Sequence, residues 1–458
     1  MKRVLTIAAS ALALAAAPAA AQTMAITGVN VATGDGSEPI TNGAVVVENG
    51  KIVYAGPASG MPEVAIPLSE APPGTWVTPG LFATVTSLGL WDVGAVSESN
   101  DTRASGAPFS AALDVAPTVN PASQHIKVHR AAGVTRAATV TSASSSIFGG
   151  QGAIIDLGAD PQPVMRARAF QTVALGEGGA RLSGGSRVAA HALFRNALLE
   201  AMEIDRGGSL RSPGGRGSTV QGDDIGIDSR LARTPEDRSA DVLLTRFDAR
   251  ALIPVVRGDQ PLYVAVERAS DILSTLALKR EFPRLNLVLV GASEGWMVAS
   301  DIAAAGVPVI ADGLDDLPAS FEELGSTQSN IGRMVAAGVK VAINASAMEN
   351  PRNLNQYAGN LVALTRMPGA SGLSWGQAFA AITSVPAEIS GMGGRAGVLT
   401  PGAAGDVVLW DGDPLEVGSM PVKVYIDGVE QPLENHQSRL RDRYRDLDES
   451  DLPKAYDW

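Results

Sequence analysis

Four histidines and no cysteine limit the chemistry open to this 458-residue chain. Without cysteine there are no disulfides, no thiolate metal sites, no cysteine nucleophile and no lipoprotein anchor. His125 and His129 stand four apart in NPASQHIKVHRAAG. The segment predicts a helix capped by Asn120, with Pro121 as its first residue and Gly133 at its end. That places both imidazoles on one face, a spacing found in metal sites. No carboxylate lies between them, and His191 and His436 are far away in sequence. Helices of a βα scaffold lie outside its strand-end sites, so a solvated helix face is the expectation for this pair.

A second candidate is Gly291-Ala292-Ser293-Glu294-Gly295, a G-x-S-x-G pentapeptide after the apolar run LNLVLV and before a helical stretch. In that context a sharp turn can lift a serine hydroxyl above a sheet. A triad then needs an acid and a histidine downstream. The only downstream histidine is His436, in a charged tail, and no HGGG-like oxyanion segment lies upstream. Ser293 is therefore expected in an ordinary βα loop, without a base to activate it.

The elements that would position these residues fall into three groups. Residues 24–78 read as strands with turns, including a hairpin in AVVVENGKIVYAG around Asn49-Gly50. From Pro79 onward, short β-branched runs (285–290, VPVIAD, 339–345) alternate with helical stretches, the pattern of βα units around a parallel sheet. Residues 397–433 return to β character, and 434–458 form a charged tail that opens as a helix. Residues 203–240, with RGGSLRSPGGRGS, lack periodicity and are expected to be a mobile insertion.

Composition bounds the partners. Lys and Arg number 36 against 48 Asp and Glu, a net charge of −12, which argues against nucleic acid. The apolar fraction of 45% excludes wholesale disorder. The opening MKRVLTIAASALALAAAPAAAQ has a basic start, a short apolar run and an Ala-Ala-Ala cleavage site, so residues 1–21 are expected to be a signal peptide cut after Ala21. The mature chain is then expected in the periplasm, without membrane attachment.

Several segments carry a family resemblance: NGAVVVENGKIVYAG (42–56), VTPGLF (77–82), LYVAVERASDI (262–272), AAITSVPAEISG (380–391) and GVLTPGAAGDVVLWDGDPLE (397–416). With these the chain resembles the amidohydrolase superfamily, in its imidazolonepropionase-like, exported branch. The resemblance implies a (β/α)8 TIM-like barrel over 79–396. It also implies a small composite β-sandwich, built from 22–78 and 397–433 together. It further implies hydrolysis of non-peptide C–N bonds in amides and cyclic amides, by metal-activated water.

The ligand positions that the resemblance implies hold other residues here. Val85 and Ser87 stand where a His-x-His is expected, Ala265 and Gly291 where two further histidines are expected, and Asn344 or Ser346 where an aspartate is expected. Valine, alanine and glycine carry no donor, and serine and asparagine are weak neutral ligands. No cofactor is therefore expected and no metal is assigned: zinc is disfavoured, while Asp259, Glu267, Glu294 and Asp312 leave room for weak Mg or Mn binding. An ordinary ion pair is the plainer expectation for Glu267 beside Arg268. Two functions follow: an amidohydrolase with an unusual mechanism, or a non-catalytic member that binds an amide-like small molecule. The second would act alone, as an oligomer, or as the partner subunit of an active amidohydrolase. Candidate catalytic residues are Glu267, Glu294 and Ser293. Candidate binding residues, taken from strand ends, are Ser87, Asn100, Asp101, Gln151 and Asn344.

Overall fold

The computed structural model describes residues 23–64, 68–206, 243–345 and 351–445. The expected signal peptide, most of the expected insertion, Ser346 and the end of the tail lie outside the described residues. The first residues of the expected insertion, 203–205, are instead the last turn of the helix Arg187–Asp205.

Sixteen strands among the described residues form two sheets. One takes strands from both ends of the chain: β1 (Met24–Val31), β2 (Ile40–Glu48), β3 (Lys51–Pro57), β4 (Leu68–Glu70), β5 (Trp76–Pro79), then β14 (Val407–Trp410), β15 (Pro421–Ile426) and β16 (Val429–Glu430). Its order is β16-β15-β14-β5-β1-β2-β3, with β4 also on β1. The antiparallel pairing of β5 with β14 joins the two ends of the chain. The hairpin β2–β3 turns at Asn49-Gly50, both with positive φ (50° and 74°), as a two-residue turn between twisted strands requires. Val31, Val45, Val47, Ile52, Val77, Val407 and Tyr425 form one apolar core under both halves.

The other sheet is an eight-stranded TIM-like barrel: β6 (Leu81–Thr86), β7 (Val134–Thr139), β8 (Phe148–Asp156), β9 (Val164–Ala174), β10 (Leu262–Val266), β11 (Leu287–Gly291), β12 (Val309–Ala311) and β13 (Val341–Ile343). A parallel bridge between Thr84 and Asn344 closes the ring, and the Thr84 hydroxyl donates to the Ile343 carbonyl at 3.2 Å. β8 runs antiparallel to both neighbours, so a meander over 134–174 replaces two helical crossovers. The outer face of β8 is covered by the long connection after β6. At Gly150 (φ 97°) a side chain would meet the backbone of Leu113, and the Gln151 N–H donates to the Leu113 carbonyl at 2.7 Å.

Each barrel strand sends one apolar side chain inward: Phe82, Ala138, Ile154, Phe170, Tyr263, Val288, Ile310 and Ala342. This layer fills the interior as in a packed parallel barrel. Ala387, Ile389, Met392 and Ala396 pack against it. The barrel rests on the mixed-end sheet through a buried ion pair. Arg136 of β7 donates to both oxygens of Asp406, at 2.7 and 2.8 Å, and meets Asp427 at 2.9 Å.

Candidate functional site

A cavity of about 700 Å³ opens at the carboxyl ends of the barrel strands, where sites form in such folds. Val85, Thr86 and Ser87 reach it from the end of β6, Thr172 and Ala174 from β9, Ala265 from β10 and Val290 from β11. Tyr263 also lines it, its ring stacked on Phe170 at 4.3 Å between centroids. Burial pushes the Tyr263 hydroxyl up to about 12, so it stays protonated. Val85 has φ 49°, a left-handed conformation costly for a β-branched residue, at a break in the β6–β7 register.

The remaining wall comes from the connection after β6. Its segment 87–103 folds back on itself: Trp91 bridges Asn100, and the Asp101 N–H donates to the Leu90 carbonyl at 2.8 Å. The Ser142 N–H donates to the Thr102 carbonyl at 2.9 Å and ties this segment to the end of β7. Trp91, Asn100, Thr102 and Arg103 thereby line the cavity.

His125 and His129 also line it, which corrects the expectation of a solvated outer face. Their helix spans Gln124–Ala131 and its cap is Ser123, whose side chain accepts the His125 N–H. Asn120 instead accepts the Ala122 N–H in a turn of its own, three residues before that cap. His125 stacks on Trp91 with centroids 3.6 Å apart, and its Nε2 lies 3.1 Å from the Asp92 carbonyl. His129 Nδ1 lies 2.5 Å from the His125 carbonyl, so Nδ1 carries the proton. Burial lowers both imidazoles, His129 to about 4, and both are neutral near pH 7.

Beside the cavity, the loops after β10 to β13 bring together Glu267, Ser293, Asp312 and Asn344. The Ser293 backbone N–H and hydroxyl donate to Glu267 Oε2 at 3.0 and 2.7 Å. Asn344 Nδ2 donates to Asp312 Oδ1 at 2.7 Å. Burial, then the nearby Asp312, pushes Glu267 up to about 8. Burial also lifts Asp312 to about 6, against the opposing hydrogen bond from Asn344. Glu267 does not pair with Arg268, which turns to Asp271 at 3.1 Å. Its carboxyl lies over Gly291 (φ 89°), where any Cβ would overlap it.

Glu294 has a different role. It accepts backbone N–H groups of Ala269 and Gly325, at 2.9 and 3.0 Å, and holds two loops together. Gln151 lies in β8 with its side chain 3.4 Å from Gln260, and Asp101 is exposed; neither lines the cavity. Of the binding candidates, Ser87 and Asn100 line it, and Asn344 stands beside it. Trp91, Arg103 and the two histidines were not legible as cavity residues, because only the fold of the connection after β6 brings them to the strand ends.

Residues 297–430 match the amidohydrolase family model. A crystal structure of an amidohydrolase from Thermotoga maritima MSB8 superposes with TM-score 0.72 at 22% identity, covering 89% of this chain and 99% of that one. The chain is thus similar to amidohydrolases in segment 297–430 and shares their fold. Amidohydrolase tasK from Hapsidospora irregularis is 48% identical over 60 residues, which are 13% of this chain and 6% of that protein. The match thus covers a small fraction of that amidohydrolase's length.

A superfamily metal would need donors at these strand ends. Val85, Ala265 and Gly291 offer none, and among the described residues no three His, Asp or Glu side chains are grouped to hold an ion. The Glu267 carboxyl also fills the space that a side chain at 291 would use. The residues present do not fit the imidazole-bound metal that the resemblance implies.

Proposed function

We propose that this amidohydrolase-like chain binds a small organic molecule in the barrel mouth and does not carry out the superfamily's metal-dependent hydrolysis. One observation carries this reading: the strand ends bring Val85, Ser87, Ala265 and Val290 to an open cavity, and its two imidazoles, His125 and His129, come from a helix outside the barrel strands. The test is elemental analysis of purified protein, together with turnover on a panel of amides and cyclic amides with and without added Zn²⁺ or Mn²⁺. We expect neither stoichiometric metal nor turnover above a blank. One tightly held equivalent of metal with amide turnover would overturn the reading.

A second reading has an observation of its own. Glu267 and Asp312 are neighbouring carboxyls whose surroundings push them up to about 8 and about 6, the kind of separation that suits a proton donor beside a proton acceptor. On that reading the chain hydrolyses non-peptide C–N bonds by acid–base chemistry, and Glu267→Gln abolishes turnover while ligand affinity survives. We further propose export to the periplasm with cleavage after Ala21. Intact mass of periplasmic material tests this, and a mature species that begins at Met1 would refute it. A second copy of the chain, or an active amidohydrolase, is the proposed protein partner, read out by light scattering and co-purification.

A further inference from the structure

We infer that the cavity selects a small monocarboxylate, held by Arg103, Asn100 and Ser87, with its apolar body over Tyr263. The inference rests on the proposed ligand-binding reading and adds a ligand class to it.

The cavity's polar groups are asymmetric. Among the described residues that line it, Arg103 alone carries a formal charge, and it makes no ion pair with a described residue. Among the described residues no carboxylate lines the cavity. The neighbouring carboxyls are occupied, Glu267 by Ser293 and Asp312 by Asn344.

Two neutral groups of the same segment that line the cavity are left as donors. Asn100 Oδ1 accepts from the Thr102 N–H and hydroxyl at 3.1 and 2.6 Å, which fixes the amide orientation and leaves its NH₂ without a protein acceptor. Ser87 Oγ accepts from the Trp91 indole N–H at 3.1 Å, which leaves its own proton to donate. The threonines of the wall have spent their protons on backbone carbonyls: Thr86 on Ala138 at 3.0 Å and Thr172 on Gly150 at 3.3 Å. Segment 87–103 thus supplies two neutral donors together with the one cation. A planar carboxylate matches a guanidinium fork with an amide donor beside it. The cavity also presents an apolar lining, with Val85, Val140, Val173, Val290 and the Tyr263 ring. A cavity of about 700 Å³ is large enough for such a molecule.

The test uses the full mature chain and three probes of one shape: phenylacetate, phenylacetamide and phenethylamine, followed by calorimetry and thermal shift. A cyclohexyl set of the same three head groups guards against a poor fit of the phenyl body. We expect the carboxylate to bind at least tenfold more tightly than the amide, the amine not at all, and the carboxylate's affinity to fall with added salt. Arg103→Gln should lower carboxylate affinity at least tenfold and leave amide affinity unchanged. Arg366→Gln, an exposed change elsewhere, should alter neither. Equal binding of all three head groups, a preference for the amine, or an Arg103→Gln variant that binds like wild type would overturn the carboxylate assignment alone. Failure of every probe in both sets would overturn the assignment and the ligand-binding reading together.

Discussion

Gly291 and Glu267 make one unit: a backbone at φ 89° with no side chain, and a carboxyl in the space that a side chain would need. Gly291→Ala is expected to destabilise the fold by about 2–4 kcal/mol through overlap and left-handed strain combined. In a Glu267→Ala background the same change should cost only the strain, about 1 kcal/mol. Chemical denaturation of the four proteins of this cycle measures the difference, and additive costs would show that the two residues do not share the space. The protonation of Glu267 gives a second expectation. Folded Glu267 keeps its proton to about pH 8, whereas an unfolded glutamate loses it near 4.5. The stability that this group contributes is therefore complete below pH 4.5 and is lost as pH rises through 8. Glutamine does not titrate, so Glu267→Gln should gain on wild type between pH 5 and pH 9, by roughly 1–3 kcal/mol at the rim of a solvated cavity. Melting curves across that range decide it, and a constant offset between the two proteins would contradict a proton on Glu267. That proton was not legible in the sequence, where Glu267 beside Arg268 reads as an ordinary surface pair. The turn of Arg268 toward Asp271 removes the expected partner, and only the fold places Asp312 nearby.

Among elements, the short apolar runs were legible because barrel strands are buried on both faces. The run at 285–290 became β11, and those at 307–312 and 339–345 became β12 and β13, each shortened to its paired residues. The direction of β8 was not legible, since FGGQGAIID has three glycines and no alternation, and nothing in it distinguishes a parallel from an antiparallel strand. The connection after β6 packs on β8, with the Gln151 N–H on the Leu113 carbonyl, and is itself fastened from a distance. Asp248, buried in the helix Arg246–Ala251, accepts the N–H groups of Ser110 and Ala112 at 2.8 Å each. Asp248→Ala would leave both donors buried without a partner, a loss of about 2–4 kcal/mol. The connection that Asp248 fastens also supplies Trp91, Asn100 and Arg103. Limited proteolysis of the variant should therefore cut within 87–119 before the barrel melts. Cleavage elsewhere first would mean that other contacts hold this element.

At the scale of the molecule, the two sheets are coupled through a charge. Arg136 is 1% exposed, and burial alone would weaken its hold on a proton. The carboxylates of Asp406 and Asp427 more than offset that cost and keep the guanidinium charged. Asp406 is itself tied into the joint: its carbonyl accepts the Gly80 N–H at 3.1 Å and its carboxylate the Asp427 N–H at 2.9 Å. One arginine of the barrel thus organises the turn before β14 and the turn after β15 at once. Removing one member of such a pair strands the other in a dry interior, so Arg136→Met and Asp406→Leu should each cost about 3–5 kcal/mol. The double variant should cost no more than either single change, because two apolar side chains replace two mutually compensated charges. Arg136→Lys should rescue little, since an ammonium cannot span both oxygens of Asp406 while also meeting Asp427. Urea denaturation of the set provides the measurement. If the single losses simply added in the double variant, the ion pair would not be the joint between the sheets. The pairing of β5 with β14 would then hold the barrel on its sheet unaided.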